Sequence, residues 1–386
     1  MPISKKEFMI DESVVYLNHG AFGATPKRVF EKQQYWQERL EQQPTKMISR
    51  DLSGLLDQAR LALADYLQCK KDDLVYIPSP TYGVNVVAHS LNLGPGDEVL
   101  VSNHEYGACL NTWDFYAKKQ GFKIVEQAIS WPIRSKTQIV ENFWQGVNEN
   151  TRLIFISHIS SSTALTMPVE EIIERANAAG IMVFVDGAHA PSQLDLNLDK
   201  LGADFYVGAC HKWMCAPKGS SFLHVKAEKQ RLIEPLVVSW AWGSRQQMDF
   251  GSSLLNSNQY PGTRDFSAYL SVESAIEYQK ENDWTALRDE CIELVDETLD
   301  EADKIDGVSR VYPKNNGLYQ QMGLLELKQA VDPANIKERL YNDYRIELPV
   351  HSWNGHNLLR FSIQAYNSKE DTEKLILALS EVFSSH

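Results

Sequence analysis

The stretch Ile181-Met182-Val183-Phe184-Val185-Asp186-Gly187-Ala188-His189 decides the fold class of this 386-residue chain. A run of five apolar residues delivers Asp186 at its carboxyl end, and two small residues and a histidine follow. The arrangement recurs directly downstream, where the apolar run Phe205-Tyr206-Val207 leads into Gly208-Ala209-Cys210-His211-Lys212-Trp213. An acid and a lysine therefore stand at the carboxyl ends of two consecutive predicted strands.

Working outward, short apolar runs alternate with helix-length segments from about residue 70 to residue 225. Near-continuous apolar strands, each followed by a helix, predict an α/β fold with a mostly parallel sheet covered by helices. Ligands of such sheets bind outside the carboxyl ends of the strands. The predicted strands are Leu74–Ile77, Glu98–Val101, Lys123–Val125, Leu153–Ile156, Ile181–Val185 and Phe205–Val207, and the helices between them include Val84–Leu91, Cys109–Gln120 and Val169–Ala179.

The pattern changes after about residue 265. Long amphipathic helices are predicted at Ala268–Tyr278 and Trp284–Ile305, followed by a few strands and a closing helix at Lys369–Phe383. This predicts a smaller α+β C-terminal domain beside the large one. We place the large domain at residues 20–265 and the small domain at residues 1–19 together with 266–386.

The composition excludes several classes of partner. A net charge of −13 argues against binding to nucleic acid or to an anionic membrane surface. No apolar run reaches the length of a membrane span, and no signal-peptide stretch is present, so a cytoplasmic enzyme is expected. The five cysteines are scattered without a Cys-x-x-Cys pair. Neither a disulfide framework nor a metal site is expected.

Asp186 and Lys212 together meet the needs of one cofactor, pyridoxal 5′-phosphate (PLP). PLP requires a lysine amine to form a Schiff base and then to move a proton at the α-carbon of an amino acid. It also requires a carboxylate against the pyridine nitrogen, because the protonated ring is the stronger electron sink. Taken singly, the acid could cap a turn and the lysine could lie on a solvated loop. The stretch Cys210–Gly219 is too apolar and aromatic for such a loop, so the pair predicts a PLP enzyme.

These motifs resemble the class V aminotransferase superfamily of fold-type I PLP enzymes, and within it the isopenicillin N epimerase-like branch. The resemblance runs in chain order through most of the sequence. It implies a fold-type I PLP-dependent transferase that forms a homodimer with shared active sites. The stretches that carry it are Leu17–Gly23, Val185–His189, His211–Trp213, Ala216–Gly219, Gly262–Asp265 and Leu359–Asn367.

The turn Ser79-Pro80-Thr81-Tyr82-Gly83 is the predicted phosphate site. It follows the first strand and opens a helix, and the N–H groups at a helix N-terminus favour anions. Thr81 and the amides of Tyr82 and Gly83 are the predicted cradle, although a plain turn with a helix cap has the same sequence pattern. The resemblance places the family's phosphate loop here.

The resemblance assigns further cofactor contacts. It adds His211, and it implies that Thr263 reaches the phosphate bound by the partner subunit. Tyr106 takes the position that stacks on the PLP ring, and Ser161 takes the position that bonds the ring oxygen O3′. A core aromatic and a serine-rich turn are the competing explanations of these two residues. Ala209 departs from relatives that often carry Asn or Ser, which puts one phosphate contact in doubt.

Two histidines each have a functional and a structural interpretation. His189 is predicted over the ring or near O3′, with a satisfied buried histidine as the alternative. His104 lies two residues before Tyr106 and is a candidate for substrate binding, with a helix-capping side chain as the alternative.

Arg360 is the predicted site for the substrate carboxylate. It stands in the apolar run Leu358–Phe361, where an unpaired charge would be costly, and guanidinium groups bind carboxylates in a bidentate manner. The family's carboxylate-binding arginine falls at this position, and Asn18 is expected to line the substrate pocket. Arg264 could be structural, paired with Asp265. The segment Trp240–Trp242 favours interface packing over a substrate box.

The predicted reaction begins when Lys212 removes the α-proton and leaves a quinonoid carbanion. Reprotonation on the opposite face gives epimerisation, reprotonation at the cofactor gives transamination, and loss of a β-substituent gives elimination. An isopenicillin N epimerase-like epimerase or racemase is the first hypothesis, and a carbon–sulfur β-lyase acting on cysteine conjugates or sulfoxides is the second. A cysteine desulfurase is set aside because no cysteine stands just upstream of Arg360. An aminotransferase and a non-catalytic binding module remain as alternatives.

Overall fold

A computed structural model describes residues 3–328 and 332–384. Its strands are β1 (Val15–Tyr16), β2 (Leu74–Ile77), β3 (Glu98–Ser102), β4 (Lys123–Gln127), β5 (Thr151–Ser157), β6 (Met182–Gly187), β7 (Phe205–Ala209), β8 (Ser221–Val225), β9 (Val308–Arg310), β10 (Met322–Leu327), β11 (Ile346–Glu347), β12 (Val350–Trp353) and β13 (His356–Ser362).

The α-helices are α1 (His19–Phe22), α2 (Lys27–Gln42), α3 (Pro44–Lys46), α4 (Leu52–Leu67), α5 (Pro80–Ser90), α6 (Gly107–Gln120), α7 (Lys136–Trp144), α8 (Val169–Ala178), α9 (Leu198–Leu201), α10 (Ser253–Asn258), α11 (Ser267–Leu270), α12 (Val272–Glu281), α13 (Trp284–Ala302), α14 (Pro333–Tyr344) and α15 (Lys369–Ser384). Short 3₁₀ turns occupy Lys5–Glu7, Lys71–Asp73 and Ala227–Leu232, and a π turn occupies Met47–Asp51. None of the helices within the described ranges combines the length and apolarity needed to cross a membrane.

A seven-stranded sheet in the order β2-β8-β7-β6-β5-β3-β4 forms the centre of the large domain. The five strands from β7 to β4 are parallel, whereas β8 runs antiparallel to both of its neighbours. The prediction of a mostly parallel sheet is confirmed. The antiparallel strand β8 was not predicted. Because β6 and β7 are neighbours, the loops that carry Asp186 and Lys212 leave the same edge of the sheet.

The C-terminal part contains a four-stranded antiparallel sheet in the order β12-β13-β10-β9. The N-terminal strand β1 pairs in parallel with β11, with Val15 opposite Ile346. The helix predicted over 268–278 is wrong as a single element, because it breaks into α11 and α12 at Ser271. The hydroxyl of Ser271 donates to the Ser267 carbonyl at 2.8 Å. Serine side chains that bond to the backbone in this way bend helices.

Candidate active site

Lys212 lies in the turn that follows β7, with its Nζ 3.0 Å from Nε2 of His189. The other ring nitrogen of His189, Nδ1, accepts a hydrogen bond from Trp213 Nε1 at 3.3 Å. Burial lowers the pKa of His189 well below its usual value, so the ring is neutral and carries its single proton on Nε2. That proton points at Nζ, which must then accept it as an uncharged amine. The geometry therefore favours the uncharged, nucleophilic form of Lys212.

Burial acts on Lys212 in the same direction. Loss of solvation lowers the pKa of its amine to about 8, although the negative charge of Asp186 opposes the shift. A free amine is the form that condenses with an aldehyde. The hydrogen bond from His189 and the burial together prepare Lys212 for a Schiff base.

Asp186 stands at the carboxyl end of β6 and is 5% exposed. Its Oδ1 accepts a hydrogen bond from the Ala188 amide at 2.9 Å, whereas Oδ2 has the Cys109 thiol at 3.6 Å. Burial raises the pKa of this carboxyl group. A protonated pyridine nitrogen would give Oδ2 a charge-assisted hydrogen bond in place of a weak thiol donor.

A cavity of about 340 Å³ opens at this edge of the sheet. It brings together many of the residues that the sequence predicts for the site. Those that line it are Thr81, Tyr106, Ser161, Asp186, His189, His211, Lys212 and Arg360, whereas Tyr82, Gly83, Thr263, Asn18 and His104 do not line it.

Arg360 enters the cavity from β13, the strand of the C-terminal sheet. It is 5% exposed, and its Nη1 donates to the carbonyl of Ser161 and lies 3.4 Å from the Ser161 hydroxyl. Its buried Nε finds no acceptor within the part of the chain that the structure describes. Burial lowers the pKa of Arg360 to about 10, so the group remains a cation at neutral pH. A buried cation with an unfilled donor fits the carboxylate of a substrate.

At the predicted phosphate site, hydrogen bonds within the first turn of α5 already satisfy two of the predicted donors. The Tyr82 amide donates to the capping Ser79 hydroxyl at 3.2 Å, and the Gly83 amide donates to the Ser79 carbonyl at 3.3 Å. Gly83 also has a packing role, because an added Cβ would lie 2.5 Å from Val207 Cγ1 on the sheet. Thr81 is the member of the predicted cradle that faces the cavity.

His211 complements Thr81 at this end. Its Nδ1 lies 2.9 Å from the Ser220 carbonyl and donates to it, which leaves Nε2 to face a ligand. Burial lowers the pKa of His211 to about 4. A phosphate dianion nearby would favour the protonated ring, and Nε2 would then donate a charge-assisted hydrogen bond to it.

Besides the two residues of the α5 turn, three further predicted residues do not line the cavity. Nδ1 of His104 is 2.8 Å from the Thr163 hydroxyl, its ring packs 4.5 Å from Trp353, and burial lowers its pKa to about 3. Asn18 immediately precedes α1, and its buried Oδ1 has no hydrogen-bond partner in the described ranges. The hydroxyl of Thr263 lies 3.0 Å from that of Tyr260.

The suggested pairing of Arg264 with Asp265 is wrong. Arg264 donates to the hydroxyl of Tyr269 and lies 4.7 Å from the centre of that ring. Asp265 instead accepts from the Ser267 amide at 2.7 Å and from Gln37 at 2.9 Å. The short turn before α11 satisfies the acid locally, so the arginine is free to stack on an aromatic ring.

Sequence reasoning missed a contact between the N-terminal segment Leu17–Gly23, here called the N-terminal clamp, and the lysine turn. Buried His19 lies 3.0 Å from the Lys212 carbonyl through Nε2 and 3.0 Å from the Tyr366 hydroxyl through Nδ1. Gly23 packs directly on the carbonyl of His211. The clamp thus fixes the backbone on which Lys212 stands.

A second missed residue is the buried acid Glu105. It accepts hydrogen bonds from the hydroxyls of Ser102 and Ser157. Ser157 is paired with Asp186 across the sheet. Burial raises the pKa of Glu105 to about 8, and the nearby charge of Asp186 adds to the rise. The protonated acid avoids a second negative charge behind Asp186.

Comparison with known proteins agrees with this geometry. The statistical model of the family described as aminotransferase class-V matches residues 15–375. The chain belongs to the class V aminotransferase family. Members of this family use PLP, and the residues around Lys212 fit that cofactor. The protein is therefore a PLP enzyme with the fold-type I architecture, and the predictions of family, fold class and cofactor are confirmed.

Individual relatives of this class V protein differ in activity. Isopenicillin N epimerase of Amycolatopsis lactamdurans is 33% identical over 98% of both chains. A probable chloroplastic L-cysteine desulfhydrase of Arabidopsis thaliana is 26% identical over 95% of this chain and 82% of its own length. The solved structure of the cystine C–S lyase C-DES with its product cysteine persulfide has a TM-score of 0.83 at 19% identity, covering 96% of this chain and 98% of its own. The last likeness shows the fold alone.

Proposed function

We propose that this enzyme removes the α-proton of an α-amino acid. The observation that carries the proposal is that Lys212, Asp186 and Arg360 line one cavity. PLP, when bound there, supplies the electron sink that makes an α-proton acidic. Arg360 binds the substrate carboxylate, and the carboxylate of Asp186 stabilises the positive charge of the pyridine nitrogen. Lys212 takes the proton from the α-carbon.

We propose epimerisation as the overall reaction. The chain is 33% identical to isopenicillin N epimerase over 98% of both chains, and this similarity supports epimerisation. Inversion requires a proton donor on the side of the α-carbon opposite Lys212. His104 is a poor candidate because it lies outside the cavity and its ring is neutral. Tyr106 lines the cavity and offers a phenol, so it is the proposed donor as well as the ring that stacks on the cofactor.

Carbon–sulfur β-elimination is the second candidate. The 26% identity to a probable L-cysteine desulfhydrase over 95% of this chain favours β-elimination. Elimination requires only Lys212 and a competent sulfur leaving group, so this cavity is sufficient without a second acid. The thiol of Cys109 does not make the protein a desulfurase, because it donates to Asp186 and burial raises its pKa.

The deciding experiment incubates the holoenzyme with L-amino acids, cysteine conjugates and their sulfoxides in heavy water. Pyruvate, ammonia, chirality and α-deuterium are measured together. D-product without pyruvate supports epimerisation, and stoichiometric pyruvate and ammonia from sulfur substrates would replace it with the lyase. Keto acid formed only with an amino acceptor would indicate an aminotransferase, and no reaction with any substrate would favour a binding module.

Tyr106→Phe tests the proposed donor. The variant keeps an aromatic ring but loses the phenol, so we expect α-deuterium exchange to continue while D-product falls by about a hundredfold. Tyr341→Phe, on the exposed surface, is the matched control. Unchanged formation of D-product by Tyr106→Phe would remove Tyr106 from this role.

We also propose that the enzyme works as a homodimer with shared active sites. Phe22 lines the cavity yet is 70% exposed, so a wall of the site faces solvent in the single chain. Val238, Trp240 and Trp242 are also more than half exposed. We propose that a partner subunit covers these side chains, and the family resemblance implies that Thr263 of the partner subunit reaches the phosphate. A monomer by light scattering that retains full turnover would contradict the proposal.

A further inference from the structure

Three ligand-type side chains meet at the edge of the large sheet opposite Lys212. Asp73 directly precedes β2, and His224 on β8 is paired with Leu74, the next residue along. Asp199 is the second residue of α9. A carboxylate oxygen from each acid and a ring nitrogen from His224 all lie within 4.8 Å of one another. The three residues come from separate segments, so the cluster is a product of the fold.

Two members of the cluster are buried, and one of them has a ring nitrogen without a hydrogen-bond partner in the described ranges. His224 is 3% exposed, and its Nε2 has no hydrogen-bond partner among residues 3–328 and 332–384. Asp73 is 8% exposed, and its Oδ1 accepts from Gln230 at 2.6 Å. Buried polar atoms without partners are costly and signal a missing water or ion.

Three basic side chains near the cluster pair with other acids, whereas the positive charge of Lys70 acts on Asp73. Arg60 and Lys71 contact Asp57, and Lys229 lies 3.4 Å from Asp204. Lys70 offsets only one of the two acids, whose oxygens lie beside each other and beside the ring of His224, which burial keeps neutral by lowering its pKa to about 4. A divalent cation would neutralise the two acids and give His224 an atom to bind.

We propose that Asp73, Asp199 and His224 bind one Zn²⁺ ion or a similar first-row divalent cation. One imidazole nitrogen and two carboxylate oxygens are ligands that such ions prefer, with water completing the shell. Ca²⁺ and Mg²⁺ select all-oxygen sites. The side-chain amide of Gln230 donates to Oδ1 of Asp73 and so orients this carboxylate, and exposed Asp199 leaves the ion a path from solvent. The sequence-based expectation of no metal site rested on the cysteines alone, whereas the proposed ligands include no cysteine.

The ion would connect the turn before β2, helix α9 and strand β8. Binding to the folded chain alone stabilises that chain, so this corner of the sheet is expected to unfold at a higher temperature with the ion bound. The proposal is independent of the reaction at Lys212, because the two sites lie at opposite edges of the sheet.

The test uses PLP-loaded enzyme stripped with a chelator and then desalted. Zn²⁺ is titrated by calorimetry, and retained metal is measured after dialysis for wild type, Asp199→Asn and Asp65→Asn. Asp199 is exposed, so its variant should fold, as its PLP absorbance will verify. Asp65→Asn removes the same charge from an exposed residue near the cluster and is the matched control.

We expect wild type and Asp65→Asn to retain one equivalent of Zn²⁺ more than Asp199→Asn, whose affinity at this site should fall by at least about a hundredfold. Zn²⁺ should raise the unfolding temperature of the first two proteins but not of the third. Equal retention by all three proteins, or none by wild type, would overturn the proposal. So would equally tight binding of Mg²⁺ or Ca²⁺, since His224 would then not be a ligand.

Discussion

Replacing Gly23 by alanine is the sharpest test of the N-terminal clamp. Gly23 has φ 69° and ψ 172°, a backbone conformation that glycine alone adopts without strain. The added Cβ would lie 2.0 Å from the His211 carbonyl oxygen and 3.0 Å from the Lys212 Cα. Ordinary carbon–oxygen contacts are about 3.3 Å or longer, so one of the two backbones must move by about 1 Å.

Two effects follow, with separate magnitudes. The strained backbone of the variant should cost about 1–3 kcal/mol in the free energy of unfolding. A displacement of about 1 Å at Lys212 should lower turnover by about a hundredfold, because catalysis depends on the position of the reacting group. PLP should still bind, since the substitution leaves Thr81 and Asp186 in place.

The assay compares urea unfolding of the holoenzyme with the rate of α-deuterium exchange into an amino acid. Gly54→Ala is the matched control, because Gly54 lies in α4 with no atom within 4 Å of an added Cβ. That control should gain about 0.5–1 kcal/mol, as expected for glycine replaced within a helix, and keep its exchange rate. If Gly23→Ala unfolded and exchanged like wild type, the clamp would have no part in positioning Lys212.

Three further predictions concern the buried titratable groups. Lys212→Ala should abolish α-deuterium exchange. Borohydride should attach PLP covalently to Lys212 in the wild type only, as mass spectrometry of peptides will show. Exchange by the variant without added amine would refute the role of Lys212 as the base. Asp186→Asn is nearly isosteric, so the variant should keep the fold and much of the PLP. Its exchange rate should fall by at least about a thousandfold, because the pyridine nitrogen lacks its counter-charge. A wild-type rate would reassign Asp186 to a structural role. The pKa of Glu105 is raised to about 8 in the folded protein, so its contribution to stability is present below about pH 4.5 and is lost as the pH rises towards 8. Glu105→Gln should remove this loss, which makes the variant progressively more stable relative to wild type between pH 5 and pH 8 in urea titrations; parallel stability curves would contradict the assigned protonation.

Strands β5, β6 and β7 could be predicted because each contains a continuous apolar run, and Asp186 and Lys212 come at or just after the ends of the last two. The bounds of β2 agree with the prediction, whereas β8 was missed. Its sequence Ser221-Phe222-Leu223-His224-Val225 carries two polar residues, and they are buried only because β2 and β7 flank it. The direction of a buried strand leaves no mark on its periodicity, so the antiparallel pairing had no sequence signal.

The same distinction applies to the site. The sequence singles out Asp186, Lys212 and Arg360, because a charged side chain within or beside an apolar run is costly to bury unless it has a partner. His104 and Tyr106 are two residues apart, yet only Tyr106 faces the cavity, because the turn after β3 points their side chains in different directions. Glu105 could have been suspected as an acid between a strand and a helix. The contact of His19 with the lysine turn depends on packing between distant segments, which local patterns do not encode.

The hydrogen bond between His19 and Tyr366 also bears on when the enzyme becomes functional as it is made. The two residues are 347 positions apart, so the support beneath Lys212 closes only after nearly the whole described chain has left the ribosome. Contacts of such long sequence separation form late and slowly. We expect a nascent chain that ends before residue 366 to fold its large sheet yet hold its lysine turn loosely. Synthesis of the C-terminal segment would then set the moment at which the cofactor can be captured productively.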